Sequence, residues 1–159
     1  MKLRDSVIIV TGSATGLGSA IIKQVAAKGA RVVINYTKSE KEAHETEAVC
    51  DYLGVESILC KADVSVDEDC RRMADLCMEK WGRIDGLVNN AARSVFANSK
   101  DLEALDGQQF MDVYSVNVVG AYQMTRAAAP HMKAGGDGSI VNVSSISALT
   151  GAGSSIAYV

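Results

Sequence analysis

The sequence predicts an α/β fold, a doubly wound parallel sheet with helices on both faces. Five short runs rich in Val and Ile recur along the chain. Among them Val7-Ile8-Ile9-Val10 is continuously apolar and does not alternate, as a strand buried on both faces requires. Segments with apolar residues at helical spacing separate the runs, so each strand would reach the next by a right-handed crossover. The 14 Gly and single Pro point to regular elements joined by tight turns and not to a disordered chain. The length of 159 residues suits one domain, and a hydrophobic share of 48% is enough for a sizeable core.

The elements follow in order. Ser6-Val7-Ile8-Ile9-Val10 reads as the first strand and runs into a Gly-rich turn. Leu17, Ile21, Val25 and Ala26 then recur at helical spacing, and Gly29 is placed to end that helix. Arg31-Val32-Val33-Ile34-Asn35 reads as the second strand. Ser39 with Glu42 has capping-box spacing and would open a polar helix reaching about Leu53. Residues 55–60 read as a third strand, and Ser65 with Glu68 as a second capping box. Beyond it Val66, Cys70, Met73 and Cys77 share one helical face. Residues 84–88 read as a fourth strand, about 106–133 as one long helix, and Ser139-Ile140-Val141-Asn142-Val143 as a fifth strand. A sheet ending there would leave a hydrophobic edge uncovered. The chain is therefore expected to be a single domain over 1–159 that is incomplete at its C-terminal end.

Composition narrows the function classes. The formal net charge of −3 arises from well-mixed signs, and no Lys/Arg cluster suggests a nucleic-acid footprint. The apolar runs are far below membrane-spanning length and no signal peptide is visible, so no membrane association is expected. Cys50, Cys60, Cys70 and Cys77 show neither CxxC nor Cys/His ligand spacing. They are expected to be reduced core cysteines of a cytoplasmic protein, without a metal site.

The turn Thr11-Gly12-Ser13-Ala14-Thr15-Gly16-Leu17-Gly18 stands between the first strand and the first helix. In a doubly wound sheet this is where a dinucleotide pyrophosphate docks, because the helix N-terminus offers unpaired N–H groups and a positive dipole end. Gly12 would let the chain turn sharply, Gly16 would let backbone approach a phosphate, and Gly18 would let the helix pack close to the sheet. The spacing is GxxxGxG, and a plain glycine-rich β–α turn would look the same; the strand before and the helix after favour binding. At the end of the second strand an acidic residue would hold a ribose 2′-hydroxyl. Here the chain reads Asn35-Tyr36-Thr37-Lys38, with no carboxylate. Hydroxyls and Lys38 would meet a 2′-phosphate there, which favours NADP(H) over NAD(H), although Thr15 stands where a basic residue would have strengthened that reading.

Further motifs fall into line behind this turn: Asp63-Val64 after the third strand, Asn89-Asn90-Ala91-Ala92 after the fourth, Asn117 in the long helix, Ser144-Ser145 after the fifth, and Tyr158 thirteen residues beyond Ser145. Together they resemble the short-chain dehydrogenase/reductase family of classical type, over the whole chain. The resemblance implies a Rossmann-like sheet in the order 3-2-1-4-5. It implies that Asp63 accepts a hydrogen bond from the adenine amino group, that Val64 flanks the ring, and that Asn90 and Ala91 line the cofactor ribose. Asp63 could instead serve the nearby helix start, and the asparagines could simply satisfy backbone at a strand end. The family usually has Gly where this chain has Ala92.

The catalytic positions have a physical rationale. Reducing a carbonyl with hydride leaves negative charge on oxygen, so a proton donor and a hydrogen-bond donor must be waiting there. By the resemblance, Tyr158 is the general acid/base, Ser145 polarises and positions the carbonyl, and Asn117 holds a water in the proton path. Phe110, Val113, Asn117, Gly120 and Met124 share a helical face, which would set the Asn117 amide among apolar neighbours; a core Asn bonded to backbone is the competing reading. In the family a Lys follows the Tyr by four residues, holding the nicotinamide ribose and favouring the phenolate; that position falls beyond Val159. A phenol otherwise titrates at about pH 10. This stretch alone is therefore expected to turn over little or nothing.

The expected activity is hydride transfer between NADP(H) and a small ketone or secondary alcohol, a 3-oxoacyl thioester being one candidate. The alternative is a dinucleotide-binding module without catalysis, favoured by Ala92 and disfavoured by the Asn117, Ser145 and Tyr158 set. Residues 93–105 would form one substrate wall. Val116, Val118, Val119 and Ala121 extend the apolar surface of the long helix, through which related enzymes pair, so a homodimer or homotetramer is expected.

Overall fold

The computed structural model describes residues 2–98, 101 and 103–159. Five parallel strands form one sheet in the order β3-β2-β1-β4-β5. They are β1 (Val7–Val10), β2 (Arg31–Tyr36), β3 (Ser57–Lys61), β4 (Gly86–Asn89) and β5 (Ser139–Asn142). The expected strand order and parallel sense are both observed. β1 sits at the centre, with Ile9 opposite Val33 on one side and Leu87 on the other.

Successive side chains of a strand point to opposite faces, and both faces are buried here. Val7, Ile9, Val33 and Leu87 pack with Cys70, Met73, Cys77, Met124 and Ala128 on one side. Ile8, Val10, Val32 and Ile34 pack with Ile22, Ala26, Ala43 and Cys50 on the other. That double burial is why the runs of β1 and β2 are so continuously apolar. Each fully buried Ile or Val contributes roughly 1.5–3 kcal/mol over its exposed state.

Helices α1 (Gly16–Ala26) and α2 (Glu40–Tyr52) cover one face; α3 (Asp67–Trp81) and α5 (Ala121–Gly135) cover the other. On α3 the expected face is the buried one: Cys70, Met73, Ala74 and Cys77. Asp67, Glu68 and Asp69 in its first turn complement the helix dipole.

Both expected capping boxes are absent. Ser39 precedes α2 without a side-chain cap bond. Ser65 donates its hydroxyl to Asp63 Oδ1 at 2.7 Å, a local turn that outcompetes capping, and Val66 becomes the residue before α3. A capping box does form where none was expected, between Asp106 and Gln109 at the start of α4 (Gly107–Tyr114).

The long helix is also not uniform. Between α4 and α5, Ser115–Gly120 is π-helical. Such wide turns are frequent at functional sites, and this one carries Asn117. A short helix α6 (Ser147–Thr150) follows β5 and had no sequence expectation. β5 is one of the two outer strands, and all four of its residues are exposed. Tyr114, Val118 and Tyr122 form an exposed apolar row along the long helix.

Candidate functional site

Thr11 and Asn35, neither singled out from the sequence, shape the glycine turn. Thr11 Oγ1 accepts from the amides of Asn90 and Ala91, each at 2.9 Å, and so joins the end of β1 to the loop after β4. Asn35 is buried; its Oδ1 accepts from the Gly12 amide at 2.8 Å, and its Nδ2 donates to the Ala62 carbonyl at 2.9 Å. A buried amide needs such partners. A buried Asn among Val and Ile in β2 was the available sequence signal.

Ser13 does not face the cleft. It is 0% exposed, donates to the Val10 carbonyl at 2.7 Å and accepts from the Asn35 amide at 2.9 Å. Its hydroxyl fixes the turn from behind, against the expectation of a cofactor contact.

The glycines differ in what surrounds them. Gly12 has φ +61°, in the left-handed region. A Cβ on Gly18 would lie 2.5 Å from the Gly12 carbonyl oxygen and 2.6 Å from Asn90 Nδ2, so α1 approaches the turn as closely as backbone allows. A Cβ on Gly16 would meet nothing within 4 Å. Thr15 caps α1 without a side-chain hydrogen bond. The first amides of the helix are thus left for an acceptor in the cleft.

That cleft has a volume of about 700 Å³, within the range of about 300–1,000 Å³ usual for small-molecule sites. Gly12, Thr15, Gly16, Leu17 and Gly18 line it at one side, Tyr36, Thr37 and Lys38 at the end of β2, Asp63 and Val64 after β3, and Asn90 and Ala91 after β4. Leu17 was expected to join the packed stripe of α1; it is 58% exposed and lines the cleft, while Ile22 takes the core position. Of the expected substrate wall, Arg93 and Ser94 line the cleft; Ser99, Lys100 and Leu102 lie outside the described residues.

Local bonding sets what these side chains can offer. Tyr36 is 8% exposed and belongs to the core against α1 and α2. Burial, then the Glu40 carboxylate beside it, push its phenol above the usual value. Thr37 and Lys38 are the exposed groups at this end. Asp63 Oδ1 accepts from the amide and hydroxyl of Ser65 at 2.9 and 2.7 Å. Asn90 Nδ2 donates to the carbonyls of Thr11 and Gly12 at 2.9 and 3.1 Å. It ties the β4 loop to the glycine turn.

A smaller cavity of about 150 Å³ adjoins the first, sharing Ala91 and Ala92. Asn117, Ser145 and Tyr158 line it together. They arrive from the π-helical segment, the loop after β5 and a turn in which the Tyr158 amide donates to the Ser155 carbonyl at 2.9 Å. Ser145 Oγ accepts from the Ser147 amide at 3.1 Å, which leaves its own proton to give. The Asn117 amide does not sit in an apolar core. Its Oδ1 accepts from the Arg93 amide at 2.8 Å and its Nδ2 donates to the Arg93 carbonyl at 3.0 Å, the backbone-bonded alternative. Arg93 in turn pairs with Asp112 at 2.9 Å.

Among the described residues no group of His, Cys, Asp and Glu could hold a metal ion, and no helix is long and apolar enough to cross a membrane. The donor set fits a dinucleotide: open helix amides at a glycine turn, polar groups at both ends and, among the described residues, no side chain filling the space between.

Known proteins are similar to this chain in sequence and fold. A protein named as ketoacyl reductase 2 of the granaticin polyketide synthase, from Streptomyces violaceoruber, is 41% identical over 152 residues, covering 96% of this chain and 59% of that protein. NADPH-dependent aldehyde reductase 1 of Arabidopsis thaliana is 35% identical over 163 residues, covering 99% of this chain and 55% of that protein. The chain thus spans somewhat over half the length of these relatives. Among solved structures, a short-chain dehydrogenase/reductase from Burkholderia xenovorans superposes with a TM-score of 0.94 at 38% identity, covering 97% of this chain and 65% of the other. An NAD+-bound xylitol dehydrogenase gives a TM-score of 0.89 at 29% identity, covering 99% and 60%. The sequence profile of the short chain dehydrogenases matches residues 6–159, and the chain belongs to that family.

Proposed function

We propose that this chain is the cofactor-binding and catalytic part of an oxidoreductase that moves hydride between NADP(H) and a ketone or secondary alcohol. The observation that carries the reading is the junction of two cavities: the one lined by Asn117, Ser145 and Tyr158 meets the glycine-turn cleft at Ala91 and Ala92.

The pyrophosphate would accept from the first amides of α1, with Gly16 giving it room. Asp63 would take the adenine amino group on Oδ2, since Oδ1 already holds Ser65. Val64 would flank the ring, and Asn90 and Ala91 would border the ribose. NADP(H) supplies the hydride when bound. The substrate oxygen would lie between Ser145 and Tyr158. Ser145 donates a hydrogen bond to it, and Tyr158 passes its phenolic proton as negative charge develops there. Asn117 fixes the backbone of Arg93, and each of its amide atoms retains capacity for one more hydrogen bond, enough to hold a water.

The preference for NADP(H) rests on exposed Thr37 and Lys38 and on the lack of a carboxylate at the end of β2. The NADPH-dependent aldehyde reductase relative agrees with it, while the xylitol dehydrogenase neighbour binds NAD+. A 3-oxoacyl thioester is the favoured substrate, in keeping with the ketoacyl reductase relative. The protein would be cytoplasmic, its four thiols free and buried, and would pair through the exposed face of Tyr114, Val118 and Tyr122.

The test is Tyr158→Phe in the protein that carries this chain, read by NADPH oxidation in the presence of a ketone and by NADPH fluorescence. Turnover should vanish while NADPH affinity stays within about twofold of the parent. Retained turnover would remove the acid/base role. Affinity without turnover in the parent itself would favour a binding module.

A further inference from the structure

We infer that Gln123, on the long helix, is a positioning residue for the adenine end of the cleft, acting through the main chain of Val64. This rests on the dinucleotide reading above and adds to it a residue that touches no cofactor.

Three independent contacts meet at Val64. Gln123 is 9% exposed, and its Nε2 donates to the Val64 carbonyl at 2.7 Å across 59 residues of sequence. Cys70 Sγ, on α3, donates to the same oxygen at 3.3 Å. Gly120 closes the third side: a Cβ there would lie 2.7 Å from Val64 Cγ2, so the helix presses on Val64 with bare backbone. Val64 itself lines the cleft beside Asp63.

Its carbonyl follows β3 and precedes α3, where no sheet or helix bond is available to hold it. Two side-chain donors substitute for that bond. A short, buried hydrogen bond restrains the peptide more than a thiol can, since sulfur is a weak donor. Gln123 therefore sets how far the Asp63-Val64 segment stands from the glycine turn. Six residues earlier, Asn117 holds Arg93 by a similar amide-to-backbone pairing. The same stretch of helix thus braces both ends of the cleft.

The charged and titratable groups near this bond are Cys70, whose thiol burial pushes up to about 12, the carboxylates of Asp63, Asp67 and Asp69, and Arg126, which pairs with Asp67. A carboxyl placed at position 123 is the one group added to this set, so a pH dependence that wild type lacks reports on the bond itself.

The experiment compares the protein that carries this chain with its Gln123→Leu and Gln123→Glu variants, using NADPH and adenosine 2′,5′-bisphosphate as probes in fluorescence and calorimetric titrations. Gln123→Leu should fold and bind both probes at least fivefold more weakly. Gln123→Glu should bind as poorly as Gln123→Leu at pH 8, where the carboxylate cannot donate. It should recover toward the wild-type value at pH 6, with wild type measured at the same pH as reference.

Wild-type affinity in Gln123→Leu would overturn the inference. So would a Gln123→Glu deficit that does not change with pH, which also decides the matter if Gln123→Leu fails to fold. If the unaltered chain binds neither probe, the dinucleotide reading itself fails, and the inference falls with it.

Discussion

Gly16 and Gly18 stand two residues apart in one turn, and the structure gives them different work. Replacing Gly18 by Ala puts a methyl group 2.5 Å from the Gly12 carbonyl oxygen, 2.6 Å from Asn90 Nδ2 and 2.8 Å from the Ser13 Cα. Two of these neighbours are backbone and cannot swing away. Overpacking of this kind costs about 1–3 kcal/mol. Displacing Asn90 also weakens its bonds to the Thr11 and Gly12 carbonyls, each contributing about 1 kcal/mol. A loss of about 3 kcal/mol follows, or a Tm lower by roughly 6–12 °C for a domain of this size.

Gly16→Ala meets nothing within 4 Å but must hold φ near +53°, which costs about 1 kcal/mol and roughly 2–4 °C. Its methyl would project at the cleft instead. NADPH affinity should therefore fall about tenfold or more, equivalent to about 1.4 kcal/mol. Thermal melts followed by circular dichroism and NADPH titrations of both variants separate the two effects. If Gly16→Ala melts as early as Gly18→Ala, or binds NADPH as the parent does, the two glycines do not divide the work in this way.

Other predictions rest on separate observations. Burial pushes the Asp85 carboxyl up, but the Arg83 guanidinium and the Val7 amide outweigh it and hold it below the usual carboxylate range. A depressed carboxyl stabilises the fold above its unfolded value of about 3.9 and loses that contribution as pH falls through the folded value. Denaturant titrations should thus show a loss of stability below about pH 4 that is blunted in Asp85→Asn; parallel profiles would exclude this origin. Burial raises the Cys50 thiol to about 11 and the Cys70 and Cys77 thiols to about 12. An aromatic disulfide reagent at pH 8 should label them only after denaturation; rapid labelling of the native protein would contradict the buried assignment. Thr37→Asp, which places a carboxylate at an exposed position on the cleft, should move the NADPH/NADH affinity ratio toward NADH by about tenfold or more. An unchanged ratio would put the 2′-phosphate elsewhere. Tyr36→Asp should instead destabilise the chain, because that ring is packed in the core.

Most of the sheet was legible because burial on both faces leaves a local signature. Runs such as Val7-Ile8-Ile9-Val10 admit few other readings, and the observed boundaries differ from the expected ones by a residue or two. The capping boxes misled because Ser65 had a nearer acceptor in Asp63, and spacing alone cannot report that competition. Ser13 misled for a related reason: sequence places it in the binding turn, whereas only the path of β2 turns its hydroxyl toward Asn35. The helical wheel for Asn117 assumed a regular helix, and the π-helical turn shifts the register at that residue.

Sequence by itself determined the alternation of elements, the glycine turn and the order of Asp63, Asn90, Asn117, Ser145 and Tyr158 along the chain, because these depend on period, spacing and residue type. Tertiary structure decided which of them share a cavity and which are spent on backbone. Thr11 and Asn35 became the braces of the turn, Tyr36 a core residue and Gln123 a support for Val64. A hydrogen bond formed across 59 residues has no local period to betray it. It exists only once the sheet has brought the ends of its strands together.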